Sequence, residues 1–110
     1  MSRTRSQLLR SALYHFCILG TYAAGDLSDQ LVIDAICMRL SAGIETLASL
    51  DATDRDRLFG EQWPLMWGIR NRIAHGYALV DTSIIRQTIQ DDIPAIVARI
   101  EAVGFSCEES

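Results

Sequence analysis

The chain has 110 residues, 49% of them hydrophobic, with only two prolines and seven glycines; this suits one helical or mixed globular domain over 1–110 and excludes a largely disordered chain. The formal charge is −4 and all ten basic residues are arginines, so the broad positive surface of a non-specific nucleic-acid binder is absent and any phosphate site has to be local. Two such local concentrations exist, Arg3, Arg5 and Arg10 near the start and Arg70, Arg72 and His75 further on, whereas the acids gather at Asp51 to Asp56 and at Asp91 and Asp92.

The first helix is expected from about Arg3 to Ala24, because Leu9, Leu13, Phe16 and Ala23 recur at helical spacing, and Gly25 is a natural stop. Ser28 or Asp26 can cap a second helix that reads to about Leu50, with Leu31 or Val32, Ala35, Ile36, Leu40, Ile44, Leu47 and Ala48 inward. Ile33, Ile36, Cys37 and Met38 make it apolar on more than one face, as in a central helix or one that meets a second subunit. The segment from Asp51 to Glu61 is polar, with Thr53 as a candidate cap for a short turn ending at Gly60. Trp63-Pro64 opens a third main helix that directs Leu65, Met66, Ile69 and Ile73 to the core and ends near His75-Gly76. Asp81, Thr82 or Ser83 caps the fourth, whose stripe of Ile85, Ile89, Ile93, Ile96, Ile100 and Val103 is the cleanest periodic signal; Pro94 inside it predicts a kink. The tail from Ser106 to Ser110 is expected to fray. No segment alternates like a strand and no Gly-rich phosphate loop is present, so the expectation is an all-α bundle.

Cys17, Cys37 and Cys107 are odd in number, widely spaced and without a Cys-x-x-Cys pair, which predicts two buried thiols and an exposed tail thiol in a reducing compartment. Neither His15 nor His75 has neighbours at metal-ligand spacing, so no metal and no other cofactor is expected. Arg3 and Arg5 ahead of an apolar stretch imitate a secretion signal, but Arg10 and His15 interrupt it. The uncharged run from Ser11 to Gly25 is too short for a membrane span, so a cytoplasmic chain without membrane contact is expected.

The chemistry concentrates in Arg70-Asn71-Arg72-Ile73-Ala74-His75-Gly76-Tyr77, at the end of the third main helix. Histidine titrates near neutrality and can move a proton from a ribose 2′-hydroxyl or to a leaving oxygen. Arginine stays charged and presents a planar fork that fits a phosphodiester and its transition state. Tyr77 can position a phosphate or stack a base. At about 100° per residue, Arg70 and His75 differ by roughly 140° around the helix, so they converge only if Arg70 extends across the surface, the helix tightens near Gly76, or two subunits complete one site. The same residues also suit a solvated helix end, where cations meet the negative end of the dipole. His15 in the first helix, and Trp63 and Trp67 at helical spacing, read as packing residues.

The run from Gly68 to Tyr77 closely resembles the Arg-x4-His-x-Tyr signature of HepT-like proteins, a branch of the HEPN superfamily. Trp63-Pro64 ahead of the motif, Val80-Asp81 after it, the acidic pair and proline of Gln87 to Pro94, and Asp34-Ala35-Ile36 in the second helix agree. The resemblance covers the chain from Leu27 to about Ile100, and is strong in the motif and weak in the first helix; the loop Asp51 to Glu61 and the linker Ala78-Leu79 depart from it. It implies a four- to five-helix up-and-down bundle of HEPN type that dimerises, and a metal-independent endoribonuclease toxin of a type VII-like toxin–antitoxin module whose RNA substrate includes tRNA as a candidate. The implied antitoxin is a minimal nucleotidyltransferase of the MNT kind. On that resemblance Arg70 and His75 match the catalytic pair, Asn71 the polar position after the arginine that supports the site, and Tyr77 the tyrosine that such an antitoxin blocks by attaching AMP; Arg72, with Asn71 and Tyr77, is a candidate to support the site or meet an RNA phosphate. The alternative is a non-catalytic helical module that docks the nucleotidyltransferase and binds a nucleotide phosphate through Arg70 and Arg72.

Overall fold

The computed structural model describes residues 3–76 and 81–107, and every regular element within them is helical. Helix α1 (Arg5–Ala23) begins at a capping box: Thr4 Oγ1 accepts from the Gln7 N–H at 3.1 Å and Gln7 Oε1 accepts from the Thr4 N–H at 2.8 Å. Helix α2 (Gln30–Ala48) begins one residue beyond the expected caps, at Asp29, whose carboxylate accepts from the Leu31 N–H at 2.9 Å. Asp26 instead closes the preceding turn by accepting from the Ser28 N–H at 2.9 Å and the Ser28 hydroxyl at 2.6 Å.

The polar stretch that follows is a helix, α3 (Ala52–Phe59), with Asp51 and not Thr53 at its N-cap position. Its Arg55 reaches back to the end of α2 and donates to the carbonyls of Ala48, the last residue of that helix, at 3.2 Å and of Leu50 in the connection at 3.4 Å. Helix α4 (Gln62–Ala74) runs to the motif. Asp81 caps α5 (Thr82–Gln87), accepting from the Ser83 N–H at 2.9 Å.

Pro94 acts one turn earlier than a simple kink. Its missing N–H cannot reach back to Gln90, and the backbone widens into a π turn over Thr88–Asp92 before α6 (Ile93–Glu101) resumes. Thr88 is buried there, with its hydroxyl donating to the Ile84 carbonyl at 2.8 Å.

One apolar cluster joins these elements. Leu9, Leu13, Phe16 and Leu19 of α1 meet Ile36, Leu40, Ile44 and Leu47 of α2, and Ile85, Ile96 and Ile100 close the far side. Several expected inward positions turn outward: Leu31 is 75% exposed, Leu65 70% and Val103 41%. Beside the first two a neighbour one or two residues along has the core-facing angle, namely Ile33, with the alternative Val32 packed against the core, and Met66; Ile100, three residues before Val103, is the last buried residue of its stripe.

The cysteine expectation fails. Cys17 and Cys107 form a disulfide with Cα atoms 5.8 Å apart, and only Cys37 remains a buried free thiol among the described residues. After α6 the chain reverses at Gly104, whose φ of 108° favours glycine, and brings Phe105 under the Arg10 guanidinium at 5.6 Å and Cys107 back to α1. The tail is therefore anchored as far as Cys107, a return that sequence spacing did not reveal.

The tightest constraint is at Gly43. A Cβ there would lie 2.5 Å from Cε1 and 2.7 Å from Cζ of buried Phe16. We expect Gly43→Ala to lower stability by about 1–2 kcal/mol, since overpacking of roughly 1–3 kcal/mol outweighs alanine's gain in helix propensity. Gly20, exposed in α1 with nothing within 4 Å of its Cβ position, is the control. Gly20→Ala should raise stability by about 0.5–1 kcal/mol. Urea titrations of the two variants check both signs.

Candidate functional site

Helix α4 carries a ladder of flat groups towards its end. Trp63 and Trp67, four residues apart, stack with ring centroids 5.8 Å apart at 25°. The Arg55 guanidinium caps the outer face of this pair 4.8 Å above Trp63, and the Arg70 guanidinium lies 4.8 Å above Trp67. Both tryptophans are half-buried, so they pack as expected and also form the bed on which Arg70 lies.

Three nitrogens of Arg70 are engaged. Nε donates to Glu45 Oε1 at 2.8 Å, Nη2 makes a close ion pair with the same oxygen, and Nη1 donates to Asn71 Oδ1 at 3.2 Å. The pair is partly open to solvent, with side-chain exposure of 26% for Arg70 and 48% for Glu45, so its net contribution to folding is small, about 0–1 kcal/mol. Its main consequence is orientation: the carboxylate on α2 and the indole beneath leave the guanidinium one pose. Nη1 and Nη2 still carry donor capacity beyond these bonds.

His75 stands at the C-cap of α4 with φ −90° and ψ 2°, and its N–H donates to the Asn71 carbonyl at 3.0 Å. Gly76 then turns with φ 137°, a conformation that L side chains rarely adopt, and its N–H donates to the Ile73 carbonyl at 3.3 Å. The His75 side chain is exposed, as is Arg72. Asn71 is thus the hub: its amide oxygen accepts from Arg70 and its backbone carbonyl accepts from His75. Among the described residues no hydrogen bond or ion pair joins the His75 and Arg70 side chains directly. This agrees with their separation around the helix. Tyr77 lies outside the described residues.

Two residues at this site escaped the reading of the motif. Trp67 was legible in principle, being three positions before Arg70 on one helix face. Glu45 was not: it lies on another helix, and nothing in the spacing of α2 marks it as the partner of Arg70.

The protein-family model described as Ribonuclease HepT-like matches residues 4–103, nearly the whole chain, and the chain belongs to that family. The match extends through α1, beyond the region in which the sequence resemblance was evident. No curated protein and no solved structure matches significantly.

The Glu45–Arg70 pair generates a direct test. Glu45→Gln keeps shape and removes charge, and we expect the stability of the chain to change by less than about 1 kcal/mol. A loss above about 2 kcal/mol in chemical denaturation would show that the pair is a structural clamp and not an orienting contact.

Proposed function

We propose that this member of the HepT-like family is a metal-independent endoribonuclease, the toxin of a two-gene module, with Arg70 and His75 as its catalytic pair. The observation that carries the reading is the pose of Arg70. A permanently charged guanidinium is oriented by Trp67, Glu45 and Asn71 at the same helix end as an exposed imidazole, in a chain whose overall charge is negative.

The chemistry that fits is internal transesterification. His75 takes the proton of a ribose 2′-hydroxyl; the 2′-oxygen bonds to phosphorus; the bond from phosphorus to the 5′-oxygen breaks, and that oxygen leaves with a proton from an imidazolium or water. Arg70 holds the non-bridging oxygens and stabilises their added charge. A phosphate competes with Glu45 for the guanidinium, so Glu45 keeps Arg70 oriented until substrate arrives. Asn71 positions both groups, and Arg72, exposed on the next step of the helix, meets a flanking phosphate.

Several further parts belong to the same proposal. The chain acts as a homodimer, with the exposed strip of α2 as its seam. Leu31, Ala35, Met38 and Ala42 of α2 and Ile73 of α4 line an open, mostly apolar groove of about 670 Å³. Met38 is 61% exposed, which leaves a large apolar side chain for a second copy to cover. The seam adjoins Glu45 and Ile73, so a two-fold contact there brings two motif segments together and can relieve the angular separation of Arg70 from His75. An MNT-type nucleotidyltransferase is the antitoxin, and an adenylate on Tyr77 would add negative charge and bulk to the motif segment and so oppose an RNA phosphate. The location is cytoplasmic; no helix of the described residues is long and apolar enough to cross a membrane. A reducing cytoplasm would hold Cys17 and Cys107 as thiols that pair on oxidation.

The second reading, a non-catalytic module that docks the nucleotidyltransferase and holds a nucleotide phosphate, draws support from Glu45. An arginine already paired with a carboxylate is satisfied without any reaction. Incubation of purified protein with total RNA and with tRNA, chelator present, separates the two. The parent should cleave, and folded His75→Ala and Arg70→Ala should each lose about 10²–10⁴-fold in rate. An inert parent, shown by mass spectrometry to carry no adenylate on Tyr77, would establish the binding module instead.

A further inference from the structure

On a different flank of α2 from Arg70 lies a second aromatic and basic cluster that the catalytic proposal does not use. Nη1 of Arg39 lies 3.2 Å from His15 Nδ1 on α1, and the Arg39 guanidinium stands 5.7 Å from the Tyr14 ring. Tyr14 and His15 meet edge to face at 6.0 Å, and Tyr14 is 43% exposed. Arginine has no acceptor, so the guanidinium donates and His15 accepts as a neutral imidazole protonated on Nε2. Burial first, then the charges of Arg39 and Arg3, hold the His15 pKa below its ordinary value, in keeping with that assignment.

Arg39 is unlike Arg70 in its neighbours. The ion pairs among the described residues are Arg5–Asp54 and Arg70–Glu45, and Arg39 takes part in neither. Its Nε is buried without a hydrogen-bond partner, as is that of Arg55, so a ligand would have to meet the terminal nitrogens of Arg39. In a chain with more acids than bases, this guanidinium has a neutral base for a neighbour, a further positive charge nearby, and no ion pair with a carboxylate among the described residues. That combination is incomplete as a structural contact and complete as the receiving half of an anion site. The exposed Tyr14 ring beside it narrows the anion to one that carries a flat group, which is a nucleotide unit.

We infer that Tyr14, His15 and Arg39 form an RNA subsite separate from the Arg70–His75 centre. Arg39 holds a phosphodiester, Tyr14 stacks the adjoining base, and His15 positions the guanidinium by accepting its hydrogen bond. The inference rests on RNA being the substrate. Arg39 and Glu45 are six residues apart on α2, about 9 Å along the axis and roughly 120° around it, so the two sites border the exposed strip of α2 from different sides. A strand held at Arg70 would therefore have to extend beyond the cleavage centre to reach Arg39. The subsite lengthens the footprint on RNA without adding to the reaction.

The test uses the full chain carrying His75→Ala, which binds without cleaving, and a fluorescein-labelled single-stranded RNA followed by anisotropy over a range of KCl. Adding Arg39→Gln should weaken binding about tenfold and reduce the slope of log affinity against log salt by about one. Tyr14→Ala should weaken binding about tenfold with the slope unchanged. Arg39→Lys, which keeps the charge, should keep the slope. If Arg39→Gln proves unfolded by circular dichroism, the folded Tyr14→Ala and Arg39→Lys proteins carry the test. Unchanged affinity and slope in folded Arg39→Gln and Tyr14→Ala would overturn the subsite while leaving a cleaving parent an RNase. No RNA binding by the His75→Ala protein would also overturn it, and only an inert parent as well would remove the RNase reading.

Discussion

The ring of Phe16 occupies the space where any residue but glycine at position 43 would carry a side chain, and this close approach fixes how α1 lies along α2. The remaining geometry follows from it. With one flank of α2 given to α1, Ile36, Leu40, Ile44 and Leu47 are sealed in the core, and α4 occupies the other flank. The outward strip is left uncovered, which is why Leu31 and Met38, both large and apolar, remain exposed on a helix whose opposite side is buried. The path from packing to chemistry is short, because Glu45 belongs to the same helix and reaches Arg70 across the α2–α4 contact.

On the proposed function, an acidic chain has to deliver positive charge to a polyanion at points. This one holds individual arginines between aromatic rings and polar partners. Arg70 rests on Trp67 and is turned by Glu45; Arg39 faces Tyr14 and is tied to His15; Arg55 lies on Trp63 and closes the end of α2. The planar guanidinium makes this arrangement possible, whereas an ammonium would have no face to stack. The exclusive use of arginine as the basic residue thus has a structural counterpart in at least three places.

The periodic stripes of α1, α2 and α6, the cap at Asp81 and the end of α4 at Gly76 were legible, because each rests on local spacing or on one residue's backbone preference. Membership of the HepT-like family was legible from the motif, and the match over residues 4–103 bears it out. What escaped depends on distant parts of the chain. Glu45 meets Arg70 only because α2 and α4 pack together. Cys107 meets Cys17 only because Gly104 reverses the tail. The π turn was readable as a disturbance at Pro94 but not as a widening over Thr88–Asp92, since proline specifies which hydrogen bond is lost and not how the helix relaxes around it. The polar segment from Asp51 was read as a loop because its helix is short and mostly solvated; Leu58 and Phe59 at its end enter the core, and Arg55 ties it to the end of α2.

On the proposed mechanism a fixed arginine and an exposed histidine cleave RNA by activating its own 2′-hydroxyl. The most direct measurement compares two oligoribonucleotides with unmodified protein in the presence of chelator, one all-ribose and one with a 2′-O-methyl group at the mapped cleavage position. The first should be cleaved to a cyclic phosphate end and the second should resist completely at that position. Cleavage of the blocked strand at the same bond would contradict it, since the attacking oxygen would then have to come from water.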